Sequence, residues 1–100
     1  MNIGHYIFEG PFSSINQIRE TSGIYAVICS DGSKQFVVDI GSSGQLKTRL
    51  ANHERRDCWL SQCHGILAFA ILYTPNYTDD QRTEIESELR KQYDPRCGKQ

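Results

Sequence analysis

Two runs rich in Val, Ile, Tyr and Phe, Gly23–Ser30 and Gln35–Ile40, are joined by Asp31-Gly32-Ser33-Lys34. Branched and aromatic residues suit a pleated, half-buried surface, and the Gly of the joint is free to take positive φ, so this stretch is predicted to be an antiparallel hairpin. After Gly41 the alternation stops. Ser42, Ser43 and Gly44 supply a loop and a capping hydroxyl, and Leu46 with Leu50, and Arg49 with His53, then recur at helical spacing. The helix expected near 44–54 therefore has one apolar face and a neighbouring basic one. Hairpin, loop and helix in that order set what the rest of the chain must cover.

Gly65–Thr74 is a nearly unbroken apolar run ended by Pro75. That length and composition predict a third strand over about 65–74, covered on both faces, with helices on both sides of the sheet. Thr78 and Gln81 form a capping-box pattern, Asp79 and Asp80 put negative charge in the first turn, and Ile85, Leu89 and Tyr93 make the buried stripe of a helix over 78–93 that Pro95 stops. Glu86 lies beside that stripe, at the boundary between helix and sheet. Residues 1–22 read as an N-terminal extension packed on the hairpin. In it, Tyr6-Ile7-Phe8 is a short strand, Gly10-Pro11 a break, and Ser13 or Ser14 the cap of a short helix through Ile15 and Ile18. In the mixed segment 54–64 the preceding helix is expected to fray, with Trp59 and Leu60 anchoring the connection on the core. The expected fold class is a small α/β (α+β) domain over 23–100, a three-stranded antiparallel sheet flanked by helices.

One hundred residues with 38% apolar content suffice for one core without a metal or disulfides to hold it. With a net charge of −1, a grip on nucleic acid has to come from a local patch. Lys47, Arg49, Arg55 and Arg56 form one such cluster, and Arg90, Lys91, Arg96 and Lys99 a second. The first ten residues have no basic lead or apolar core of signal length and no run could span a bilayer, so a cytoplasmic protein with no membrane partner is expected. Four cysteines in such a chain are expected to be reduced thiols. Cys58, Cys63 and His64, with Cys97 far off, have the wrong spacing for a zinc knuckle.

Gly23-Ile24-Tyr25, then Ile40-Gly41 closing the second strand, an Arg eight residues past that Gly and a His four further on together resemble the GIY-YIG nuclease domain. Glu86-Ser87-Glu88-Leu89-Arg90 with Pro95 nine residues after Glu86 resembles the family's carboxylate helix. The matched segments run from about Gly23 to Gly98. Two positions depart from the family pattern: Asp39 stands where the second half-motif begins with Tyr, and Gly98 where an Asn often follows the Pro. The resemblance implies a metal-dependent endonuclease acting on nucleic acid, DNA being the expected substrate, with Mg2+ or Mn2+ as cofactor.

In that reading Arg49 steadies charge on the phosphate, because its fork of N–H donors matches phosphate oxygens. Glu86 holds the divalent ion, Tyr25 orients the attacking water or touches phosphate, and His53 relays a proton or binds phosphate. Gly41, Ser42, Lys47, Arg55 and Arg56 are expected to contact the nucleic acid. Asp39 is either a second metal ligand or water-orienting base, the mark of a site that has lost catalysis, or a carboxylate capping the loop before the helix. Plainer roles stand beside these: Arg49 and His53 as a solvated helix face, Glu86 paired with Arg82 one turn earlier, Tyr25 as core. Three functions follow as expectations, namely the endonuclease, a catalytically inactive nucleic-acid-binding module on the same scaffold, and a protein-interaction domain that meets an acidic partner.

Overall fold

Gly32, at a φ of +64°, turns the chain between two long strands and so makes the hairpin that the sequence predicts. The computed structural model describes residues 1–98. Its elements are β1 (Asn2–Ile3), β2 (Tyr6–Ile7), β3 (Glu9–Phe12), a 3-10 turn (Ile15–Gln17), β4 (Gly23–Asp31), β5 (Lys34–Ser43), α1 (Leu46–Ala51), α2 (Arg56–Gln62), β6 (Ile66–Tyr73) and α3 (Asp79–Tyr93). Lys99 lies outside the described residues. The result is an α+β domain with antiparallel sheets and three helices.

The main sheet has four strands, in the order β3-β6-β4-β5, where the sequence predicts three. The fourth comes from the N-terminal segment: β3 pairs with β6 and so covers an edge that would otherwise leave a row of backbone groups without partners. That segment therefore pairs with the third long strand, on the side of the sheet away from β5. Ser14 caps the 3-10 turn as the sequence predicts, through a capping box with Gln17.

Both faces of the sheet are covered, as the apolar run of β6 predicts. Tyr25, Val27 and Cys29 of β4 point to one side, where Leu46, Leu50 and Trp59 of α1 and α2 cover them. Ile24, Ala26 and Ile28 point to the other, under Ile85 and Leu89 of α3. The β4–β5 register pairs Val27 with Asp39 but Ile28 with Val37, so Val38 is an extra residue on β5. Beyond this bulge Asp39 and Gly41 face the same side as Val27 and Tyr25.

Three expectations need correction. The helix near 44–54 is shorter: α1 stops at Ala51, His53 sits in the break, and a second helix follows where fraying was expected. Packing the imidazole against Trp59 at a ring separation of 4.5 Å requires that break, because a continuing helix would keep His53 on the face of Arg49. Trp59 is buried as predicted, but Leu60, 54% exposed, does not anchor the connection. The four cysteines are not free thiols: Cys29 bonds Cys63 and Cys58 bonds Cys97, with Cα separations of 5.7 and 5.8 Å. Both bridges hold α2, which at seven residues is too short to be stable alone.

Candidate active site

Tyr25 and Gly41 are direct partners across β4 and β5, and the phenol ring lies over the glycine. A Cβ at position 41 would overlap the phenol, so Gly41 serves as the floor beneath Tyr25, buried and out of reach of a ligand. From that floor the Tyr25 oxygen reaches His53 Nε2 at 2.5 Å. On its other side the imidazole accepts the backbone N–H of Arg55 at Nδ1, at 3.1 Å. Burial lowers the His53 pKa to about 4, helped by the positive charges of Arg49 and Arg55, so the ring is neutral at pH 7. Burial also pushes the Tyr25 phenol up to about 12, although Arg55 and Arg49 pull the other way.

Asp39 is fully buried, and its carboxylate collects donors from four directions. Arg55 Nε donates at 2.8 Å, Arg90 Nη2 at 2.5 Å, Trp59 Nε1 at 2.7 Å and the backbone N–H of Ile40 at 2.8 Å. A carboxylate has about four lone-pair positions, so nothing is left for a metal or a water. The expected roles of second metal ligand, water-orienting base and loop cap therefore give way to that of a buried anchor. Two guanidiniums make the anchor possible, since a buried carboxylate needs paired, hydrogen-bonded charge around it. Arg55 is correspondingly turned inward, its side chain only 25% exposed, and is not the free phosphate contact expected of it.

Glu86 sits at the other side of the β5 edge. Its Oε1 accepts from the hydroxyl of Ser42 at 2.7 Å, and its Oε2 lies 3.4 Å from Arg90 Nε. The alternative pairing with Arg82 does not form, because Arg82 is taken by Asp79 and by the carbonyl of Tyr77. Arg90 thus ties Glu86 to Asp39 around the strand edge and also donates to the carbonyl of Cys97. Among the described residues no three His, Cys, Asp or Glu side chains group as metal ligands. Glu86 alone still suits a hard cation, since its carboxylate is partly open to solvent and each oxygen has a spare lone pair that waters and phosphate oxygens can complement.

Arg49, half-buried, pairs with the exposed Glu54 at 3.1 Å, an exchangeable partner that a phosphate can replace. The charges of Arg49 and Glu86 are both felt at the Tyr25 phenol, Arg49 lowering its pKa and Glu86 raising it. Lys47 is half-buried and Arg56 exposed on the same side of the sheet. Arg90 and the indole N–H of Trp59 are the site residues the sequence did not reveal. Arg90 stands one helical turn past Glu86, a spacing at which such pairs form, and that was the available signal. Comparison with family models, with curated proteins and with solved structures gives no match.

Proposed function

We propose that the chain is a metal-dependent endonuclease of GIY-YIG type, hydrolysing phosphodiester bonds of nucleic acid at Tyr25, Arg49, His53 and Glu86. The observation that carries the reading is the buried Tyr25–His53 pair, held at 2.5 Å, with Arg49 and Glu86 near enough for their charges to be felt at the phenol. In the reaction a water oxygen bonds to phosphorus while one ester P–O bond breaks; the water gives up a proton and the departing oxygen takes one up. Arg49 releases Glu54 and binds the phosphate oxygens, where charge builds in the transition state. Tyr25, buried and fixed by Gly41 and His53, would offer only its hydroxyl to a phosphate oxygen, from the sheet side. Glu86 would hold Mg2+ or Mn2+, which supplies Lewis acidity and lowers the pKa of a bound water. Lys47 and Arg56 extend the basic surface along the nucleic acid, DNA before RNA. A cytoplasmic setting carries a condition, because both disulfides would have to survive where thiols are normally kept reduced.

The test is cleavage of labelled single-stranded, duplex and branched DNA and RNA with magnesium, manganese or EDTA. Wild type is expected to cut only with metal, and Glu86→Ala and Arg49→Ala to lose about 100-fold or more of the rate. Metal-independent cutting, or full activity in both variants, would remove the proposal. One observation favours a second reading, binding without cleavage: Asp39 and Arg55 spend their charge on each other. That reading predicts steeply salt-dependent binding with no cleavage in any metal.

A further inference from the structure

We propose that Arg55 is a positioning residue that sets the direction of the proton in the Tyr25–His53 pair, so that the phenol offers its hydrogen outward to a ligand oxygen. A neutral imidazole has one nitrogen that donates and one that accepts. Nδ1 of His53 lies 3.1 Å from the backbone nitrogen of Arg55, which can only donate. Nδ1 is therefore the acceptor, and the ring hydrogen sits on Nε2. At 2.5 Å from Nε2, the Tyr25 oxygen then receives that hydrogen and does not give its own.

The guanidinium of the same residue approaches the oxygen from a second side, with Nη2 at 3.4 Å. Both protein groups around the phenol oxygen are donors, and among the described residues no acceptor stands within hydrogen-bond distance of it besides the ring nitrogen already assigned. The hydroxyl hydrogen is therefore left without a protein acceptor among the described residues, free for a ligand oxygen that reaches the buried phenol. Arg55 thus acts twice, through its backbone on His53 and through its side chain on Tyr25, and Asp39 holds it in place by accepting from Nε at 2.8 Å. The reverse arrangement would set two N–H groups against each other at Nδ1, a buried clash of donors.

Only the nature of the ligand rests on the endonuclease reading. There the phenol is a hydrogen-bond donor to a phosphate oxygen, whose charge grows as the water attacks, and it is not the base that takes the water's proton. Asp39, although sealed from solvent, then shapes the site through Arg55.

The test is heteronuclear NMR of the full, disulfide-bonded chain with labelled histidine at neutral pH, with His53 assigned by its loss in His53→Gln. The expected result is a hydrogen on Nε2; a hydrogen on Nδ1, or on both nitrogens, overturns the proposal. Arg55→Gln keeps the backbone N–H on Nδ1 and removes only the guanidinium beside the phenol, so it is expected to leave Nε2–H the major form and to shift the ratio toward Nδ1–H by about twofold to fivefold. Arg55→Lys, which keeps a cation on Asp39, is expected to restore most of it. An unchanged ratio in folded Arg55→Gln rejects the side-chain part of the role, and if neither variant folds the wild-type tautomer still decides the backbone part. No cleavage is needed, so a chain that cuts nothing but carries Nε2–H defeats the proposed function and leaves this assignment standing.

Discussion

The two faces of the sheet are built from different materials. Beneath α3 the packing is apolar: Ile24, Ala26, Ile28, Ile40, Ile85 and Leu89 fill it, with Ile3 and Phe8 from the N-terminal segment. Beneath α1 and α2 a similar strand surface also carries a buried carboxylate, a buried imidazole, an indole N–H and two disulfides. The helices explain the difference. α3 has fifteen residues, a capping box and Ile85 and Leu89 on its buried face, so burial does most of its docking and Glu86 and Arg90 add bonds only at the strand edge. α1 and α2 have six and seven residues and no side-chain cap at their own N-caps, so they need directional bonds and covalent ties. A face held by such bonds fixes polar groups in place, which is what a reactive site requires.

The sharpest way to break this contrast is to reduce the disulfides. Loops closed over 34 and 39 residues are worth about 4 kcal/mol each, so thermal unfolding with and without dithiothreitol should show a large fall in stability. Loss of Trp59 burial, read by fluorescence, should precede loss of α3 helicity read by circular dichroism. Next in size is Asp39→Ala, which leaves two guanidiniums without their partner and is expected to cost about 3–5 kcal/mol in denaturant unfolding. Asp39→Tyr, which would complete the GIY-YIG motif that the sequence resembles, is expected to be as damaging, because a phenol cannot pair with both arginines. Leu89→Ala, on the other face, should cost about 2–5 kcal/mol and leave the NMR signals of His53 unmoved; movement of those signals would show that the faces are not separable.

A smaller effect comes from acid. His53 is faced by Tyr25 and Asp39 from the strands, Arg49 from α1, Glu54 and Arg55 from the connection and Trp59 from α2. The unfolded chain takes up a proton on this residue near pH 6.5, whereas the folded one resists until about 4. Stability is therefore full above that window, falls as pH drops through it and levels out below. Urea unfolding at pH 5 and pH 7 should show the difference, and His53→Gln should shrink it. Smallest of all, Glu54→Ala is expected to leave the unfolding midpoint unchanged, since Glu54 is the exposed member of its pair with Arg49.

Local patterns in the sequence predicted the local structure well. The hairpin, the strand covered on both faces and the capped helix α3 rest on periodicity and turn chemistry that act over a few residues, and all three formed. Fourth-strand pairing by β3 was not legible, because Glu9-Gly10-Pro11-Phe12 has no strand pattern and pairs only because β6 offers an edge. The Arg49 and His53 spacing suggested a helix that the burial of the imidazole interrupts. The same holds for Asp39, where the sequence exposed a departure from a motif but not the arginines that answer it, 16 and 51 positions away. Cysteine pairing was hidden for the same reason, since the partners are 34 and 39 residues apart.

The reach of Arg90 around the edge of β5 also has a meaning in time. A growing chain emerges from the ribosome with Tyr25, Asp39, His53 and Arg55 already outside while Arg90 is still to be made. Until it arrives, the Asp39 carboxylate has lost its contact from α3 and Glu86 its tether to the opposite face. Nascent fragments therefore lack the Arg90 contacts to Asp39 and Glu86, which form only when α3 has been synthesised and laid down on the sheet.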